Sequence, residues 1–474
     1  MAGDQPQLML YSTLEGAMRP FTPLDPQRVT IYSCGPTVYR YVHIGNLRTF
    51  LMADILCRCL EYLGFQAYQV MNITDVGHLT DEMFDRGEDK MLVAAEQESK
   101  TPQEIAAYYT QAFTEDCALV NIRPAALYPK ASDHVERMQL MIAGLVELGH
   151  AYEVEGTVYF DVTSFAGYGK LSRNSLDQMQ AGHRSQVDPK KRNPQDFVLW
   201  QRAGSRRLIH WPSPWGQGYP GWHIECSAMS TAYLGEQFDI HTGGADNVFP
   251  HHEDEIAQSE AYFGHRVVNY WIHGQHLFLG RARMAKSAGN FFRITDVSDQ
   301  GIDPLAFRLL ALQTRYRTKM HFSQQALQAA WQSLNGLRQH YAEFAAAALE
   351  AGTEGSVDLE RQMGGRFVQA LCNDLNLAQA AAVVSQVVRS QDLDPRQKLH
   401  LMSDFDRVLG LDLDRLARRP RQLPAGASEL LAMRERARTA RNWAEADSLR
   451  QRLRQIGVEV TDTPQGTRWA VLAD

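Results

Sequence analysis

The sequence is poor in cysteine: six residues in 474, at positions 34, 57, 59, 117, 226 and 372, with no CxxC pair. That spacing argues against a disulfide framework, and the six are read as reduced thiols. No run reaches the roughly 18 apolar residues of a membrane span, and the opening Met-Ala-Gly-Asp-Gln-Pro has no basic stretch ahead of an apolar one. A soluble, cytoplasmic protein with no membrane partner is expected. Biased tracts and internal repeats are also missing, so nothing in the composition argues for disorder.

What is present is an ordinary globular composition, 44% hydrophobic and 22% charged. With 474 residues the chain exceeds one compact core, and three or more domains are expected. The net charge of -7 argues against a uniformly basic nucleic-acid binder, but it hides an asymmetry. From Arg415 onward there are 12 Arg, no Lys and 7 acids, a balance of +5 that leaves -12 on residues 1–414. The basic end is a candidate RNA surface, and equally a solvated arginine-rich helix pair.

Residues 28–33 read as a strand, Gly35-Pro36-Thr37 as a turn, 46–63 as a helix stopping at Gly64, and 65–73 as a second strand. This βαβ order predicts a parallel sheet, with ligands beyond the carboxyl ends of its strands. Residues 100–150 read as helical, and 151–165 change period to short strands, which suggests an insertion in the sheet domain. From His321 the pattern is helical almost throughout, broken at 351–356 and at a linker over 420–428.

Two short motifs carry anion chemistry. Cys34-Gly-Pro-Thr-Val-Tyr-Arg-Tyr-Val-His43-Ile-Gly45-Asn46 joins the first strand to its helix, where backbone amides and a close glycine favour phosphate. Far downstream, Arg283-Met-Ala-Lys286-Ser287 places a lysine on a small-residue loop suited to the charge of nucleotidyl transfer. Each motif alone is weak.

Four further residues have metal-ligand chemistry: Cys34, Cys226, His251 and Glu255. His251 and Glu255 stand four apart after Pro250, so a helix would turn both to one face. A zinc-protease HExxH fails, because Ile256 stands where the second histidine belongs. Singly, each has an ordinary alternative: a small buried residue for either cysteine, a helix cap for His251, surface charge for Glu255.

The two anion motifs together resemble the HIGH and KMSKS signatures of class I aminoacyl-tRNA synthetases. Ser33-Cys34-Gly-Pro-Thr-Val-Tyr39, Gly221-Trp-His-Ile-Glu-Cys226-Ser-Ala-Met229 and His241-Thr-Gly-Gly-Ala-Asp246 through Glu255 resemble the cysteinyl-tRNA synthetase family within that class. So do Asn193 to Trp200, Val268 to His273, Ala440 to Asp447 and Gly466 to Trp469. The resemblance implies a Rossmann-type parallel-sheet catalytic domain with an insertion, then a helical bundle and a small anticodon-binding domain. The expected spans are 1–120 and 206–280 for the two catalytic halves, 121–205 for the insertion, 281–320 for a stem-contact region, 321–420 for the bundle and 421–474 for the last domain.

The same resemblance implies a ligase that uses ATP, cysteine and tRNA-Cys, with one zinc ion and with Mg2+ accompanying ATP. It implies zinc on Cys34, Cys226, His251 and Glu255, and ATP contacts from Thr37, His43, Gly45, Asn46, Asp246 and Lys286. Among these His43, Asn46 and Lys286 are the expected catalytic groups, and Thr74, Trp222 and His241 the expected cysteine pocket. A monomer is expected. Asn46 replaces the second signature histidine, while Arg283 and Ala285 replace the first lysine and first serine of the second signature. After Asp75 the chain reads Val-Gly-His78-Leu-Thr where the family has an acidic, lysine-containing run. Two other functions compete: a cysteine:amino-sugar ligase of mycothiol type, which lacks the C-terminal extension, and an inactive RNA-binding paralogue, which would lose ligands or phosphate residues.

Overall fold

Four parallel strands build the sheet: β1 (Arg28–Ser33), β2 (Gln66–Met71), β3 (Phe238–Gly244) and β4 (Val268–Gly274). The computed structural model describes residues 6–77, 79–81, 86–175, 188–204, 207–279, 282–283, 291–349, 355–418, 424–463 and 466–471. Strand order is β4-β3-β1-β2, so β1 pairs with β2 on one side and with β3 on the other. The chain leaves β1 toward one edge and β3 toward the other, which opens a crevice outside their carboxyl ends.

The expected strand over 28–33 matches β1, and the helix of the βαβ unit is α1 (Ile44–Tyr62). It starts two residues earlier than its sequence pattern indicates because His43 caps it. The His43 ring accepts from the Asn46 amide at 3.0 Å while the Asn46 side chain accepts from the His43 amide at 3.2 Å, a reciprocal capping box. Nearly all of α1 from Leu47 to Leu60 is buried, against the sheet on one side and the later helices on the other.

Helices Pro102–Leu119 and Val135–Glu147 fill most of the stretch read as helical. The short strands then form an antiparallel sheet of Ala151–Val154, Thr157–Phe160, Phe197–Arg202 and Gly218–Pro220, which continues past residue 205. Helices Gln324–Ala347, Val357–Cys372, Leu377–Arg389 and Pro395–Leu409 follow. They pack on α1 through one large apolar cluster.

Asp54 anchors that junction. Its buried carboxylate accepts from Arg58 and Arg308, each at 2.8 Å, and Arg308 also donates to the Val120 and Asn121 carbonyls at 3.1 and 2.9 Å. Removing one partner of such a cluster strands buried charge. Asp54→Ala is therefore expected to cost about 3–5 kcal/mol, read as a lower midpoint of thermal unfolding. An unchanged midpoint would show that the two arginines find other acceptors.

Two compact units emerge, Met1–Leu413 and Asp414–Asp474. The second holds helices Ala427–Thr439 and Trp443–Gln455 and an antiparallel hairpin of Val458–Thr463 and Gly466–Val471. The hairpin departs from the helical reading after residue 321. Its strand Val-Glu-Val-Thr-Asp-Thr alternates, but is too short to stand out beside two arginine-rich helices. Arg434, buried, grips Asp462 at 2.6 and 3.0 Å, and Arg438 pairs with the same carboxylate. These arginines are tied into the unit's own packing.

Candidate active site

Cys34 follows β1 directly, and its amide donates to the Thr242 carbonyl of β3 at 3.1 Å. Gly35 comes next, with its amide 2.8 Å from Asn72 Oδ1. A Cβ on Gly35 would lie 1.7 Å from the Asn72 carbonyl oxygen, so only glycine lets the chain turn here. Thr74 donates its amide to Pro36 and accepts from Val38, both at 3.1 Å, which pairs the segments at Thr37 and Thr74.

Two helices bring the other donors. Helix α2 (Trp222–Leu234) carries Cys226 on its second turn, and α3 (His251–Phe263) carries His251 and Glu255 on one face. One ligand atom from each of Cys34, Cys226, His251 and Glu255 lies within 4.8 Å of the others. Two sulfurs, one imidazole nitrogen and one carboxylate oxygen form a donor set for tetrahedral zinc, whose bonds of about 2.0–2.3 Å require only a modest contraction of this cluster. The residues therefore fit the ion.

A second set, Cys34, His241, His252 and Glu255, satisfies the same criterion and shares two members with the first. Glu255 sits between the two: Oε1 is 3.0 Å from His251 Nε2, and Oε2 is 2.9 Å from His241 Nε2. His252 Nε2 lies 3.0 Å from Cys34 Sγ. Trp222 stacks on His251 with centroids 4.2 Å apart, and Trp271 stacks on His241 at 4.5 Å. The structure thus gathers Trp222 and His241 around the four expected ligands. Thr74 reaches the same helix less directly, donating to Glu225 at 2.8 Å.

Outer partners fix these rings. His223 Nδ1 faces His251 Nδ1 at 2.9 Å, with Asp254 3.2 Å behind it, and His252 leads through His273 to Thr13, each step 2.7 Å. Such contacts orient ligating imidazoles. None of His223, Glu225, His252 or His273 was singled out in the sequence. His252 alone had a local signal: His-His-Glu-Asp-Glu at the start of a helix cannot be a solvated face when Ile256-Ala257 continues it into the core.

Burial pushes the Cys34 thiol up, and the hydrogen bond to Cys34 together with burial pushes Cys226 well above the ordinary thiol range. Burial opposes ionisation of Glu255, but His241 and His251 hold its carboxyl down at about 2. His251 is lifted to about 10, against burial, by Glu255 and Cys226. A metal needs thiolates and a neutral imidazole, so its uptake at neutral pH displaces protons. Zinc affinity is expected to rise with pH across the neutral range, measured by competition with a chelating dye; a flat profile would mean that the donors are already deprotonated.

At the expected nucleotide residues, His43 and Asn46 hold the start of α1, and a Cβ on Gly45 would come 2.9 Å from the His43 ring. Asp246 follows β3, and its Oδ1 meets His276 Nδ1 at 2.8 Å, a partner the sequence reading missed. Lys286 with its loop, and His78, lie outside the described residues.

Comparison with known proteins gives this arrangement a family. Residues 20–332 match the class I (C) tRNA synthetase catalytic domain, and residues 421–469 match the cysteinyl-tRNA ligase anticodon binding domain. The cysteine–tRNA ligase of Treponema denticola is 37% identical over 98% of this chain and 100% of its own length. Cysteine–tRNA ligase 1 of Burkholderia lata is 42% identical over 97% of this chain and 96% of its own. Among solved structures, a Mycobacterium tuberculosis methionyl-tRNA synthetase with methionyl-adenylate aligns at TM-score 0.57 and 12% identity over 82% of this chain and 91% of that one. An Agrobacterium radiobacter LeuRS in a ternary complex with tRNA and LeuAMS aligns at TM-score 0.59 and 10% identity, over 84% and 86%. These last two speak for the fold alone. Near-complete matches to curated relatives, with both domain families in order, show that this chain belongs to the cysteine–tRNA ligases, a family of class I aminoacyl-tRNA synthetases.

Proposed function

We propose that this chain activates cysteine with ATP and transfers it to the terminal adenosine of tRNA-Cys. The observation that carries the reading is the convergence of Cys34, Cys226, His251 and Glu255 beside the loop that runs on to His43. In this reading those four residues hold one zinc ion, which supplies a soft Lewis acid that binds a thiolate far better than a hydroxyl. Serine is then refused at the binding step, without an editing domain.

Trp222, His241 and Thr74 wall the amino-acid pocket. The cysteine carboxylate attacks the α-phosphate of ATP, the bond to the β-phosphate breaks, and pyrophosphate leaves. Thr37 and the Gly45 amide receive phosphate, and the His43 and Asn46 side chains donate to its oxygens. Lys286 offsets the charge that develops on the transferred group, Asp246 orients the adenylate, and Mg2+ accompanies ATP. The tRNA hydroxyl then attacks the activated carbonyl and AMP departs. The likeness of 421–469 to an anticodon-binding domain favours tRNA over an amino sugar as acceptor. The exposed Trp443, in the arginine-rich end of the sequence, supports RNA contact there.

Cysteine-dependent exchange of labelled pyrophosphate into ATP tests activation, and charging of total tRNA with labelled cysteine tests transfer. No exchange by the zinc-loaded protein would sink the proposal. Removing residues 414–474 is expected to spare exchange and lower charging of tRNA by about tenfold or more; equal charging would remove the RNA role from that unit. The chain is proposed to work as a cytoplasmic monomer, which light scattering would check; among the described residues no helix is long and apolar enough to cross a membrane.

A further inference from the structure

Three consecutive residues after the second signature, Phe291, Phe292 and Arg293, lie against the loop that enters α1. The Phe291 ring meets the His43 imidazole edge-on with centroids 5.7 Å apart. The Phe292 carbonyl accepts from the Ile44 amide at 3.0 Å. The Arg293 guanidinium stacks on the Tyr41 ring at 3.4 Å. Segment and loop are thus joined at three successive points.

Arg293 has a second neighbour in Asp116, on the helix Pro102–Leu119, whose side chain is buried. Arg293 Nη2 stands 3.6 Å from Asp116 Oδ1, close enough for an ion pair and too far for a hydrogen bond. Among the described residues two buried atoms here lack hydrogen-bond partners, Arg293 Nε and Asp116 Oδ2. Both belong to this one pair. A guanidinium that turns its Nε–Nη2 edge onto the carboxylate satisfies both atoms in a two-point contact. The backbone of Arg293 is held separately, its amide donating to Asp296 at 2.7 Å.

We propose that Arg293 is a positioning residue of the nucleotide site: paired with Asp116 and stacked on Tyr41, it holds residues 41–46 so that His43 faces the phosphates of ATP. The proposal rests on the reading of His43 given above. Arg293 touches no reacting atom in this scheme and acts through the loop. A shift of about 1 Å in a phosphate donor is enough to cost about a hundredfold in rate, so a clamp of this kind has leverage on turnover.

The clamp also has a pH signature. Burial raises the Asp116 carboxyl to about 6 against the pull of Arg293, with Glu115 on the same helix and Asp296 beyond Arg293 adding to the rise. The carboxylate is charged above that value, and the ion pair is lost as pH falls through it.

The test is pyrophosphate exchange by the full-length, zinc-loaded protein from about pH 5.5 to about pH 8, comparing wild type with Arg293→Ala, Arg293→Lys and Asp116→Asn. Arg293→Ala is expected to lower kcat about tenfold or more with zinc content and KM for cysteine unchanged. Arg293→Lys should recover part of that loss, since it keeps the charge over Asp116 but not the flat stack on Tyr41. Asp116→Asn should lack the fall in kcat that the wild type shows below about pH 6. Wild-type kcat in Arg293→Ala, a parallel loss of zinc and cysteine affinity, or an unchanged acid limb in Asp116→Asn would each overturn the proposal. Should Arg293→Ala fail to fold, the near-isosteric Asp116→Asn decides alone. Absence of exchange in the wild type would instead remove the nucleotide-site reading itself, and the wild-type control tells the two failures apart.

Discussion

Cys226→Ala is expected to strip the protein of zinc and to lower kcat/KM for cysteine by about 10³-fold or more, some 4 kcal/mol of lost transition-state binding. The larger loss should fall on cysteine, because Cys226 lies in the cluster formed with Cys34, His251 and Glu255. The experiment gains force from a companion. Cys34 and Glu255 also belong to a second donor set completed by His241 and His252. If the first set holds the metal, His252→Ala should keep zinc stoichiometric at saturating metal and weaken it by about 10–100-fold, as removal of an orienting partner does. Zinc retained by Cys226→Ala and lost from His252→Ala would move the ion to the second set. Metal content after dialysis reads both outcomes without any activity assay.

Lys286→Ala is expected to slow adenylate formation by about 10²–10³-fold, the usual consequence of removing a preorganised charge from a site of developing negative charge. Zinc content and cysteine affinity should stay at wild-type values. A single-turnover measurement of adenylate separates this from slow release of product. Were Lys286→Ala and Cys226→Ala to lose zinc equally, the division between a cysteine-reading metal and an ATP-reading lysine would fail.

The parallel sheet was legible because β1, α1 and β2 follow one another with clear changes of period and Gly64 between helix and strand. The place of β3 between β1 and β4 was not, since nothing local marks a pairing across some two hundred residues. The four expected ligands stood out because cysteine, histidine and glutamate are chemically conspicuous, and their resemblance to one family tied them together. Their supports were invisible for the opposite reason. His223 beside His251, His273 beyond His252, and His276 on Asp246 become meaningful only when the fold sets the rings within 3.0 Å of their partners. Asn46 shows the same in small: a departure from the signature when read as sequence, it closes a capping box with His43 in the structure.

One short loop begins at Cys34 and ends at His43, and it is stiff, pinned by Gly35 against Asn72 and by the pairing of Thr37 with Thr74. A rigid span between two sites makes their occupancies interdependent: whatever the first ligand gains from the second, the second gains from the first. Loss of the metal would then loosen the grip on nucleotide as well as the grip on sulfur. On the proposed reading, zinc starvation would therefore lower the rate of cysteine activation through both ligands at once.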